Sequence, residues 1–265
     1  MTLLLQVSDP HFGTERPELV EALVALARQQ RPALVVLSGD ITQRARPSEF
    51  DAARACMARL QAPVLAVPGN HDIPLFNLWA RLWRPHARYA AAFGAELAPV
   101  FESPDLQVLG VNTTRAWRHQ HGEVSARQID QVAQRLAGAS AAQLRVVVVH
   151  QPLAVPWPSE RRHLLRGHRA ASQAWAAAGA DLVLGGHIHL PGVMPLPAGP
   201  RPMWAVQAGT AVSSRVRQGQ PASVNLIRWG HDTPAGQCHI EQWDHAAGQG
   251  AFVCARRTVV APARP

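Results

Sequence analysis

Short runs of consecutive apolar residues alternate with longer stretches in which apolar positions recur every third or fourth residue. Residues 3–7 (apolar but for Gln6), 33–37 and 64–67 are such runs and read as strands buried on both faces. Between them, residues 18–29 place Leu19, Leu23 and Leu26 at helical spacing. Residues 48–60 follow a Pro-Ser start and give a second helix. This β-α-β-α-β rhythm predicts a parallel sheet flanked by helices, with ligands bound beyond the carboxyl ends of its strands.

The pattern continues with a strand over 108–111, a helix over 125–136 behind a Ser125 cap, and four consecutive valines at 146–149. A helix over 164–178 and a strand over 182–184 follow. Residues 75–93 carry Trp79, Trp83, Pro85, His86, Tyr89 and Phe93 without a strand pattern. They read as a helix packed on the core, with a substrate lid as the alternative. After residue 200 the pattern turns to strands, at 203–208, 223–228, 239–243 and 252–259, separated by Gly-rich turns. That change predicts a second, largely antiparallel sheet whose edge offers a homodimer contact. Residues 191–202 read as an ordered crossing loop and 261–265 as a fraying tail.

Composition narrows the class. The chain has 265 residues, 47% of them hydrophobic, and a net charge of +8 carried entirely by Arg, with no Lys. A basic field draws anions such as phosphate esters. The Arg residues are scattered, and the runs at Arg161, Arg162, Arg166 and Arg169 and at Arg256 and Arg257 have no aromatic ladder, which argues against a nucleic-acid module. Cys56, Cys238 and Cys254 are too few and too distant for a disulfide framework or a Cys-based zinc site. The apolar start is too short for a signal peptide or a membrane span. A cytoplasmic protein without membrane contact is expected.

Candidate chemistry sits directly after five predicted strands: Ser8-Asp9-Pro10-His11, Ser38-Gly39-Asp40, Pro68-Gly69-Asn70-His71-Asp72, His150, and Gly185-Gly186-His187-Ile188-His189. Each piece alone has a bland reading: a solvated Asp-x-His loop, or a hydrogen-bonded core histidine at a strand end. Together they offer the carboxylates and imidazoles that a pair of divalent metals needs, all expected along one sheet edge. The glycines before His187 and Asn70 are expected to let the backbone turn there.

These residues resemble the calcineurin-like metallophosphoesterase family, with greatest similarity to bacterial class III cyclic-nucleotide phosphodiesterases and their glycerophosphodiesterase relatives. The resemblance runs in family order from Asp9 to His189. It implies an α/β fold, a four-layer α/β/β/α sandwich of two central mixed sheets flanked by helices. It implies a single domain over 1–265, with a motif-bearing part at 1–199 and mainly antiparallel strands of the second sheet at 200–260. It also implies two divalent or mixed-valence metal ions (Mn, Fe or Zn), one held by Asp9, His11 and His189, the other by Asn70, His150 and His187, with Asp40 between them. His71 would protonate or stabilise the leaving oxygen, with Asp72 orienting its ring.

The implied activity is hydrolysis of a small phosphodiester, most of all a 3',5'-cyclic nucleotide, by metal-activated hydroxide attack on phosphorus. The alternatives are a broader phosphohydrolase acting on glycerophosphodiesters or monoesters, and a catalytically silent scaffold that binds protein. Asn70 and His71 would also touch substrate. Residues 209–215 resemble the family's substrate-side segment, so Arg215 would pair with phosphate or hold the loop near His189, unless the segment is only a polar turn. Arg115 and Trp117 follow a predicted strand and either clamp a phosphate and a base or form a plain surface loop.

Overall fold

The computed structural model describes residues 2–263 apart from 198, 200, 218 and 231–235. Strands β1 (Thr2–Val7), β2 (Leu34–Ser38) and β3 (Val64–Val67) pair in parallel, joined by helices α1 (Pro17–Gln30) and α2 (Pro47–Arg59). Both helices open on proline, which costs nothing at a position whose N–H lacks an intrahelical partner. Two short helices follow, α3 (Leu78–Trp83) and α4 (Ala87–Phe93). Next come β4 (Val100–Glu102), β5 (Leu106–Gly110), α5 (Ala126–Ala137), β6 (Leu144–Val148), α6 (His168–Ala177) and β7 (Leu182–Gly185). Strands β8 (Gly192–Pro195), β9 (Trp204–Gln207), β10 (Ser223–Trp229), β11 (Cys238–Ala246) and β12 (Ala251–Val260) complete the order.

The strands form two six-stranded mixed sheets, ordered β12-β11-β10-β1-β2-β3 and β4-β5-β6-β7-β9-β8. Leu4, Val36 and Val67 of the first meet Val146, Leu184 and Val206 of the second in one buried cluster, so the sheets pack face to face. Leu5 and Val35 point the other way, onto Leu19 and Leu23 of α1. Val147 and Val183 point onto Ile129 of α5 and Trp175 of α6. The result is the four-layer α/β/β/α sandwich. Central strands covered on both faces explain why the sequence shows continuous apolar runs instead of alternation.

Several elements differ from the sequence reading. The C-terminal strands are antiparallel but do not make a sheet of their own: β10 pairs with β1, Leu5 opposite Leu226, and β11 and β12 extend that sheet. Strand β9 joins the other sheet, parallel to β7. The expected crossing loop at 191–202 contains β8, which pairs antiparallel with β9; residues 198 and 200 of that loop lie outside the described residues. The end of the expected fraying tail, residues 264 and 265, also lies outside them. The aromatic stretch splits into two helices because Pro85 disfavours helical backbone in the residue before it, and Arg84 sits at φ −142°. Helix α6 starts four residues late, after Gly167 at φ +88° and a 3-10 turn at Pro158–His163. Among the described residues no helix is long and apolar enough to cross a membrane.

Candidate metal centre

The five loops leave the carboxyl ends of β1, β2 and β3 in one sheet and of β6 and β7 in the other. They converge where the two parallel sets end together, so the centre is built between two sheets, not along one sheet edge as the sequence suggested. Holding the loops there requires unusual backbone. Asp9, His11, Asp40, His187 and His189 all have positive φ, between 43° and 70°, and make up five of the eight described non-glycine residues in that region. Such conformations cost energy in ordinary residues and concentrate at functional sites. Backbone bonds across the loops fix them, with Asp9 N–H donating to Gly39 O, His11 N–H to Asp40 O and Gly186 N–H to His150 O.

The glycines act differently from the expectation. His187 and His189 make the turn themselves, while Gly186 provides room: a Cβ there would lie 2.0 Å from Ser8 Oγ and 2.2 Å from Asp9 Oδ2. Gly69 has φ −100°, open to any residue, but its Cβ would lie 2.0 Å from the Asp40 nitrogen. Both positions serve close approach of two loops.

All seven candidate ligands come together. His189 Nε2 lies 3.2 Å from Asp9 Oδ1 and 3.2 Å from His11 Nε2. On the other side His150 Nε2 lies 3.2 Å from Asp40 Oδ1 and 3.3 Å from Asn70 Oδ1. The second Asp40 oxygen is 3.8 Å from His11 Nε2, so this carboxylate stands between the two groups. Donor atoms of Asp9, His11 and His189, and of Asp40, His150 and His187, lie within 4.8 Å of one another in each set.

Three observations fit these residues to metal ions. His150 Nδ1 is tied to Ser38 O (3.0 Å) and His189 Nδ1 to Arg215 O (2.7 Å), which leaves each Nε2 free to ligate; ligand histidines are oriented in this way. His187 Nδ1 is buried without a hydrogen-bond partner, a costly state that a metal would relieve. Burial pushes His11 and His187 down to about 3, which keeps both rings neutral, the form that binds metal. Burial works to raise the Asp9 carboxyl, but the facing His189 outweighs it and holds it at about 2. Asp40 is likewise kept well below the carboxylate range, burial being outweighed by His150 and His71. Both carboxylates are therefore ionised at neutral pH.

The remaining predicted residues divide. His71 lines the cleft: its N–H donates to Asp40 Oδ1 (2.8 Å), its Nδ1 is bound to Gln43 O (2.9 Å), and its Nε2 faces Arg215 Nη1 at 3.3 Å. Arg215 also reaches Gln43 Oε1 (3.0 Å) and His11 Nδ1 (3.3 Å), while its carbonyl holds His189; both roles weighed for it are compatible with this placement.

Asp72 does not orient the His71 ring. Its carboxylate accepts from Ile41 N–H, Thr42 N–H, Thr42 Oγ1 and Gly69 N–H at 2.8–3.1 Å, and the ring is held by the Gln43 carbonyl instead. Asp72→Ala strands buried donors in two loops and is expected to cost about 3 kcal/mol in urea denaturation, with the His71 ring contact intact. Of the two readings weighed for Arg115, the plain loop fits and the phosphate clamp does not. Its guanidinium donates to Asn112 O, Thr114 O and Gln128 Oε1, pinning its loop to α5 away from the cleft.

A cavity of about 260 Å³ is lined by Asp40, Asn70, His71, His187, His189 and Arg215. A smaller one of about 120 Å³ shares Asn70 and His71 and is walled by Ile73, Leu75 and Phe76. A larger one, about 590 Å³, lies beside α5 and contains none of the candidate ligands. Sequence reasoning missed His163, whose Nδ1 sits 3.2 Å from His187 Nε2, and Arg217, which donates to Ile188 O and Glu160. His163 lies in what showed only as a basic run, and Arg217 lies two residues past the 209–215 segment; it is the 3-10 turn that brings His163 to the cleft mouth.

Comparison with known proteins gives a family match, described as calcineurin-like phosphoesterase, over residues 2–191. A glycerophosphodiester phosphodiesterase of Enterobacter lignolyticus is 37% identical over 83 residues, which span 26% of this chain and 29% of that protein. A 3',5'-cyclic adenosine monophosphate phosphodiesterase of Escherichia coli is 26% identical over 201 residues, covering 70% of this chain and 69% of the relative. Among solved structures, a dimetal phosphatase from Danio rerio superposes with a TM-score of 0.69 at 14% identity, over 99% of both chains. Vps29 of Entamoeba histolytica, in a single-mutant form, gives 0.52 at 13% identity, over 98% of this chain and 99% of its own. At such identities the likeness is one of fold.

Proposed function

The chain belongs to the calcineurin-like phosphoesterase family, and from there we propose that it is a phosphodiesterase whose substrate is a small diester, a 3',5'-cyclic nucleotide first among them. The observation that carries this reading is the pair of donor sets meeting at Asp40, with His71 and Arg215 on their open side. Asp9, His11 and His189 would hold one divalent ion, Asn70, His150 and His187 the other, and Asp40 both. Bound there, the ions supply the charge that activates water and neutralises phosphoryl oxygens.

The chain's own residues do the rest. With Nδ1–H donating to the Gln43 carbonyl, His71 presents Nε2 to the cleft, and in its protonated form it would pass the Nε2 proton to the departing oxygen and become the neutral ring. Arg215, 3.3 Å from that nitrogen, grips a phosphoryl oxygen and holds it beside the proton donor. The two cavities that share Asn70 and His71 leave room beside the phosphoryl group for the nucleoside or alcohol that the ester carries.

The two relatives bear the names of diesterases, and the one named for cyclic AMP aligns over far more of the chain, which favours the cyclic nucleotide. The likeness to Vps29 speaks for the scaffold alternative at the level of fold alone, and the assembled ligand set outweighs it. Manganese-loaded protein is expected to cleave bis(p-nitrophenyl) phosphate at least tenfold faster than the monoester and to convert cyclic AMP to AMP. Cleavage of another diester with cyclic AMP untouched would remove the cyclic nucleotide and keep the diester; preference for the monoester would remove both.

A further inference from the structure

Helix α3 is inside out. Leu78, Trp79, Leu82 and Trp83 share one face, as positions one, two, five and six of a helix do, and are 64–74% exposed. Its only charged residue, Arg81, points inward at 8% exposure and donates to Pro74 O (3.3 Å) and Arg118 O (3.0 Å). An ordinary surface helix has the opposite arrangement. Phe76, just before the helix, and Trp117, next to the residue that anchors Arg81, are exposed as well. One exposed apolar side chain needs no explanation, but a cluster of this size marks a surface that meets something apolar.

The charge around it indicates what that is. No acidic residue occurs from 73 to 95 or from 106 to 122; of the Arg in those segments Arg81 is turned inward, Arg115 is held by its own loop and Arg118 is paired with Glu123, which leaves Arg84 and Arg88 beside the apolar face. Arg84 is exposed at the end of α3, and the Arg44 guanidinium sits over the Phe76 ring, 5.5 Å from its centroid. Trp, Leu and Phe rimmed by Arg is the composition of a surface that lies on lipid, its rings at headgroup depth and its cations on anionic headgroups. A second copy of the chain would set two such acid-poor, Arg-rimmed faces of a +8 protein against each other.

We propose that the α3 face docks this protein on the surface of an anionic phospholipid bilayer. The expectation of no membrane contact rested on the lack of a spanning segment, and docking at the surface needs none. The docked face and the catalytic cleft adjoin, because Leu75 and Phe76 wall the cavity that holds Asn70 and His71. The proposal does not depend on which phosphoester is cleaved.

The test is flotation of the full chain with vesicles of phosphatidylcholine and phosphatidylglycerol in a three-to-one ratio, and with phosphatidylcholine alone. It is repeated with Trp79→Ala/Trp83→Ala and with Arg84→Glu, each checked by circular dichroism, and with the single Trp83→Ala should the double variant misfold. The wild type is expected to float with the anionic vesicles at least about tenfold more than with the neutral ones. The double variant is expected to lose about tenfold of that binding and keep its hydrolysis of soluble diesters, and Arg84→Glu to bind less. No flotation of the wild type, equal flotation with neutral vesicles, or undiminished flotation of the double variant would overturn the proposal. So would a wild-type dimer in sedimentation velocity that the double variant abolishes, with neither protein binding vesicles.

Discussion

Asp40→Asn is expected to lower kcat for diester hydrolysis by about a thousandfold, several kcal/mol at roughly 1.4 kcal/mol per tenfold. Asp40 lies close to both donor sets, 3.2 Å from His150 and 3.8 Å from His11. Losing its charge would remove the group proposed to let one site hold two cations. Asparagine is the informative substitution because it tolerates the left-handed backbone at φ 47° and keeps an acceptor for the His71 N–H. Metal content by mass spectrometry should fall with the rate while the circular dichroism spectrum stays the same. A variant with full metal content and full rate would show that Asp40 is not shared.

His71→Ala is expected to lower kcat by about 10²–10⁴ with KM changed only a fewfold and the metal content unaltered. The split follows from position: the ring touches the cleft through Nε2 but belongs to neither complete donor set proposed for the metals. Its signature is the leaving group. An alkoxide, as in a cyclic nucleotide, needs the proton, while p-nitrophenolate departs almost without it. The loss should therefore be much larger for cyclic AMP than for bis(p-nitrophenyl) phosphate. Equal losses for both would assign His71 to phosphate binding and leave the proton to another donor.

What the sequence showed and what it hid have physical reasons. The strands were legible because parallel strands covered on both faces are mostly apolar, as residues 3–5 of β1 and the 146–149 valines are. The ligand loops were legible because each begins where such a run ends. Pairing partners were not: β10 meets β1 across most of the chain, and nothing local in residues 223–229 states which strand they will join. This is why five loops expected along one sheet edge proved to come from two sheets.

Side-chain direction was also hidden. Asp72 and His71 are neighbours in sequence, yet the 3-10 turn at Asn70–Asp72 sends one carboxylate into the 41–42 backbone and the other ring into the cleft. Arg115 follows a strand end as the ligand loops do, but carbonyls of its own loop and Gln128 capture the guanidinium first. Helix α3 misled in the opposite way. Its aromatic residues read as core, because sequence spacing reveals that a helix has an apolar face but not which way that face points.

Metal stoichiometry tests most directly the proposed centre for two ions that share Asp40. Protein stripped with a chelator, dialysed and re-equilibrated with manganese should retain two ions per chain by mass spectrometry, and Asp40→Asn should retain fewer under the same conditions. Fewer than two ions in the wild type, or equal content in both proteins, would contradict it.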